Sequence, residues 1–126
     1  MNRWFLAAAV LTVLVGCAHS WLGERYLIGR LLRRQDLPRL LGGDDFTKRT
    51  LRFAWHLTTL AWVGMAGLMA ALAPLPADRL PQPVVLVLSA IFAASALLAL
   101  IGSRGRHLSW VVFLAIALML WLGLPR

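Results

Sequence analysis

The chain has 126 residues, 60% of them hydrophobic and only 14% charged, with a formal net charge of +8. Soluble domains carry about 45–50% apolar residues, and one small fold has too little interior to hide such an excess, so a free soluble domain is excluded and a lipid-embedded one is expected. Positive charge of this size also suits nucleic acid, but no base-reading motif accompanies it, so no nucleic-acid role is assigned.

The first apolar run, 4–22, opens on Trp4, a residue suited to the membrane interface. Ala8, Thr12, Gly16 and His19 follow at helical spacing on one face, where small side chains admit a neighbouring helix. Leu14-Val15-Gly16-Cys17 has the form of a lipoprotein cleavage box. Cutting there would make Cys17 an exported N-terminus and drag the basic segment behind it across the membrane. Only Arg3 precedes the run as a basic residue, so the span is read as retained and Cys17 as a small apolar position. No intrachain disulfide is possible with one cysteine.

The connection 23–52 begins with Leu27/Ile28 and Leu31/Leu32 repeating among arginines, which predicts a short amphipathic helix lying in the interface. Pro38 ends or kinks it, Gly42-Gly43-Asp44-Asp45 turns the chain, and an aspartate or Thr47 caps the next helix. The second run, 53–73, places His56, Thr59, Val63 and Gly67 on one face, with Gly64 and Ala71 as further close-packing positions. A proline-rich turn leads to the third run, 84–101, whose Ser89, Ala93, Ala94 and Ala96 are packing residues. The connection 102–107 is tight, and His107 opens the fourth run, 108–124. A helix rises about 1.5 Å per residue, so each run reaches about 25–32 Å, near the hydrocarbon thickness of a bilayer.

These elements predict one all-α membrane domain over 1–126: a four-helix up-down transmembrane bundle with an interfacial helix after the first span. Arg25, Arg30, Arg33, Arg34, Arg39, Lys48, Arg49 and Arg52 lie in the first connection, and Arg104 and Arg106 in the last. Arg3, Arg79 and Arg126 are left on the other side. The positive-inside rule then puts 23–52 and 102–107 in the cytoplasm and both termini on the exported side of a bacterial inner membrane.

All three histidines fall near the cytoplasmic face. His19 closes the first span, His56 enters the second and His107 opens the fourth, with Glu24 at the same interface. Imidazoles and a carboxylate at one depth suit a transition metal or haem, with Thr59 or Ser109 orienting the rings. Histidines at an interface also serve as ordinary polar contacts, and Glu24 as an ion-pair partner of Arg25 or a neighbouring arginine. Five tryptophans sit where interface anchors belong. The deeper Trp62 is read as a packed or lipid-facing aromatic, with a place in the wall of a cavity as the alternative.

The segments His19-Ser20-Trp21-Leu22-Gly23-Glu24-Arg25, Phe53-Ala54-Trp55-His56-Leu57-Thr58-Thr59 and Gly105-Arg106-His107-Leu108-Ser109-Trp110 resemble those of small proteobacterial four-span inner-membrane proteins, a resemblance that carries no activity. Small multidrug exporters share the size but use a glutamate deep in the first span, where this chain has none. No span holds a carboxylate and no nucleophile–base pair is legible. The expected role is therefore that of an accessory or scaffold subunit, non-enzymatic, pairing with a membrane-protein partner or with itself in the lipid bilayer. The alternatives are a metal- or haem-binding protein built on His19, His56, His107 and Glu24, and a small-solute transporter acting as an oligomer.

Overall fold

The computed structural model describes residues 1–125, so Arg126, counted above among the exported charges, lies outside the described residues. Helix α1 spans Arg3–Leu22 and runs on through a π-helical stretch, Gly23–Ile28, into one last turn at Gly29–Leu31. Helix α2 spans Asp45–Leu72, α3 Gln82–Gly102 and α4 Ser109–Leu122. The described residues contain no strand. The first three helices are long and apolar enough to cross a membrane.

Four details differ from the sequence expectation. The segment expected as a separate interfacial helix is continuous with α1, because the wider π turns carry the chain onward with no break before Leu32. Helix α2 starts at Asp45, well before the apolar run, so its first two turns are polar. Asp44 occupies the N-cap position without a side-chain cap bond and pairs instead with Lys48 at 2.6 Å, while Thr47 donates to the Pro38 carbonyl at 2.8 Å. Helix α4 has only 14 residues, about 21 Å of helix against the roughly 30 Å of a hydrocarbon core.

Across the bundle the order is α2–α1–α4–α3: α1 packs on α2 and α4, and α4 on α3. Neighbours run antiparallel. Asn2 ties three of the helices together at one end. Its side-chain oxygen accepts from the Trp4 and Phe5 amides and caps α1, its amide donates to the Gly123 carbonyl at 2.7 Å, and its backbone N–H donates to the Ala73 carbonyl at 2.7 Å. The chain's two ends therefore meet at one end of the bundle.

The core grows from that end. Phe5, Ala8, Met69, Val85, Ile116 and Leu120 are fully or almost fully buried. The expected α1 face is realised, with Ala8, Thr12 and Gly16 buried and the Thr12 hydroxyl donating back to the Ala8 carbonyl at 2.7 Å. On α2 the packed face is one residue off the expected one. Ala66 and Met69 are buried, whereas Val63 is 43% exposed and Gly67 open. Likewise Val85, Leu88, Phe92 and Ala96 form the buried stripe of α3, with Ser89 donating to the Ala117 carbonyl at 3.0 Å, and Ala93 faces outward.

Candidate functional site

At the opposite end, α1 and α2 are joined by polar contacts. The His19 and Trp55 rings stack with centroids 4.2 Å apart and planes 7° from parallel. Each ring donates to the other residue's backbone: His19 Nε2 lies 3.3 Å from the Trp55 carbonyl, and Trp55 Nε1 donates to the His19 carbonyl at 3.2 Å. A carbonyl only accepts, so His19 carries a proton on Nε2. Gly23 makes the stack possible, since a Cβ there would overlap the Trp55 indole.

A second chain of contacts runs beside this clasp. Ser20 Oγ lies 2.9 Å from His56 Nδ1 and 2.8 Å from Thr59 Oγ1, and Thr59 donates to the Gly16 carbonyl at 3.4 Å. His56 Nε2 reaches Glu24 Oε2 at 3.4 Å, and Arg52 holds the other carboxylate oxygen at 2.8 Å. With Nε2–H donating to Glu24 and Ser20 donating to Nδ1, Ser20 accepts from Thr59, whose single hydroxyl hydrogen is shared with the more distant Gly16 carbonyl. The Arg52–Glu24 pair is half-exposed, so its main effect is to neutralise Glu24 and not to stabilise the fold.

His107 stands apart from both groups. Its Nδ1 accepts from the Ser109 backbone N–H at 3.2 Å and lies 2.8 Å from the Ser109 hydroxyl. The four residues proposed as ligands thus fall into three settings: His56 with Glu24, His19 against Trp55, and His107 on Ser109. Among the described residues no three His, Cys, Asp or Glu side chains gather as a metal-binding group. Of the two supporting hydroxyls, Ser109 does orient His107, while Thr59 reaches His56 only through Ser20.

His19 and His107 instead share the wall of a cavity of about 340 Å³ with Trp55, Trp62 and Phe113. Trp62 edges onto His19 at 5.0 Å between centroids and onto Phe113 at 5.3 Å, so it is a packed residue lining a space. Ser20, Arg52 and Phe113 went unseen in the sequence as members of this region, whereas Trp62 takes the cavity-lining place that its depth offered as an alternative. Ser20 is spaced four residues from Gly16, and that small-residue step was the available signal.

On the connecting segment the Arg34 hydrogen bond and charge hold the Asp36 carboxyl below the usual carboxylate range, and Lys48 does the same for Asp44. Both pairs are solvent-facing and fasten the loop locally. No family model, no curated protein and no solved structure matches this chain.

Proposed function

We propose that the chain is a small four-span subunit of a bacterial inner membrane that works by pairing with helices of another membrane protein. In this reading α4 completes the fourth crossing with help from Leu108 and the residues after Leu122. The arginine-rich segment between α1 and α2 lies in the cytoplasm, and both termini are exported. The meeting of the chain's ends at Asn2 and Gly123 supports an even number of crossings. The grouping of ten basic residues in two connections supports the orientation.

One observation carries the pairing. Gly64 and Gly67 lie at helix-packing positions, yet a Cβ added to either would meet nothing within 4 Å. Helix α2 packs mainly on α1 and reaches α4 through the edge of Trp62 on Phe113, and just 17% of its most apolar stretch is buried, less than in α1 or α3. In lipid there is no hydrophobic force to drive helices together, so close backbone approach at small residues supplies the contact. A shallow groove of about 410 Å³ lined by Ala9, Val13, Ala66, Gly67 and Ala70 offers that approach.

The test is native mass spectrometry of the protein extracted gently from its own membranes. The wild type is expected in a complex of fixed stoichiometry. Gly67→Leu should lose that complex while keeping its helical spectrum and unfolding midpoint, because the added side chain points away from the chain's own core. A wild type recovered only as a monomer, or a Gly67→Leu variant that assembles normally, would refute the reading.

A further inference from the structure

The bundle is closed tightly at the Asn2 end and open at the histidine end. There the 340 Å³ cavity between α1, α2 and α4 adjoins a hollow of about 400 Å³ toward α3. His19, Trp55, Trp62, His107, Ser109 and Phe113 wall both spaces. Volumes above about 300 Å³ are typical of small-molecule sites. No lysine, arginine, aspartate or glutamate lines either space, so an ionic guest would be stripped of water without a counter-charge. The rim is apolar as well: Leu22, Leu27 and Leu108 are 45%, 50% and 76% exposed, and in a bilayer they face the acyl chains.

Hydrogen bonding fixes what the two imidazoles offer. His19 uses Nε2–H on the Trp55 carbonyl, which leaves Nδ1 an acceptor with no partner among the described residues. His107 uses Nδ1 to accept from Ser109, which leaves Nε2–H a donor with no partner among the described residues. The chamber therefore combines aromatic walls with one free acceptor and one free donor. Flat rings pack well against such walls.

From this we infer that the chamber binds a flat, uncharged ring bearing carbonyl or hydroxyl oxygens, of the quinone and quinol class, entering sideways from the lipid. A ring carbonyl accepts from His107 Nε2–H, and a ring hydroxyl donates to His19 Nδ1. Any apolar tail leaves between Leu22, Leu27 and Leu108. The inference is independent of the helix pairing proposed above.

The experiment is equilibrium dialysis of 2-methyl-1,4-naphthoquinone between nanodiscs that hold the full chain and empty nanodiscs of the same lipid, which subtracts simple partitioning. Saturable binding of one molecule per chain is expected, with 2-methylnaphthalene, the same ring system without oxygens, binding more weakly. His107→Leu leaves the His19–Trp55 clasp intact and should weaken binding about 2–12-fold, the range for one neutral hydrogen bond. Val112→Trp, which fills the cavity, should abolish it. Ala18→Phe from the facing wall replaces that variant if its helical spectrum is lost. No saturable excess over empty discs, equal binding of the oxygen-free ring, or wild-type affinity in either the His107 or the filled variant would overturn the inference.

Discussion

Asn2→Ala is expected to lower the stability of the bundle by about 2 kcal/mol, roughly 1 from the lost cap of α1 and about 1 from the interhelical hydrogen bond to Gly123. The residue joins α1, α2 and α4 through one side chain and one backbone N–H, so few substitutions elsewhere remove as many contacts. Alanine keeps the backbone bond to Ala73, which bounds the loss. Asn2→Asp separates the two parts. Its carboxylate still caps the helix but cannot donate to the Gly123 carbonyl, so about half of the loss should return. Denaturant titration in mixed micelles, followed by circular dichroism, measures both variants. A change below about 0.5 kcal/mol for Asn2→Ala, the level of an ordinary surface substitution, would show that this end is not tied as described.

Gly23→Ala is expected to cost about 1–3 kcal/mol, the usual price of forcing extra volume into a packed site. The new methyl would overlap the Trp55 indole, and the indole cannot turn aside without breaking the stack on His19 and the two reciprocal bonds. The near-ultraviolet dichroism of Trp55 should fall with it. Gly64→Ala makes the same chemical change where a Cβ meets nothing. It should be neutral, or better by up to about 1 kcal/mol from helix propensity. Equal effects at the two glycines would contradict the clasp. Because Gly23 and Trp55 line the chamber, this variant also tests whether the open end keeps its shape.

The all-helical class and the positions of the three long helices were legible because bilayer-length apolar runs have few other solutions. Position along a helix follows directly from residue count, so it also put the histidines toward one end of the bundle, though they form no cluster among the described residues. Their direction around the helix was not legible. A helix turns 100° per residue, and a shift of one residue moved the packed face of α2 from Val63 and Gly67 to Trp62 and Ala66. That shift sends Trp62 inward, as a chamber wall.

The separation of His56 from His107 was hidden for a related reason. His56 turns toward Ser20 and Glu24 on the α1 side, and His107 is held back by the Ser109 amide two residues before α4 begins. Neither partner is signalled by spacing within its own helix. Glu24 met an arginine, but one from α2 and not the adjacent Arg25. The continuity of α1 beyond Leu22 was illegible because Gly23 reads as a helix end, and here it is the point of closest approach to Trp55.

The reading depends on helices upright in lipid, tied at the exported end and open at the cytoplasmic end. Paired reporter fusions test this most directly, with green fluorescent protein and alkaline phosphatase each joined in turn at Gly43 and after Pro125. At Gly43 the fluorescent fusion should be bright and the phosphatase silent; after Pro125 the pattern should invert. An active phosphatase at Gly43, or a bright fluorescent fusion after Pro125, would contradict the orientation and with it the cytoplasmic placement of the histidine end.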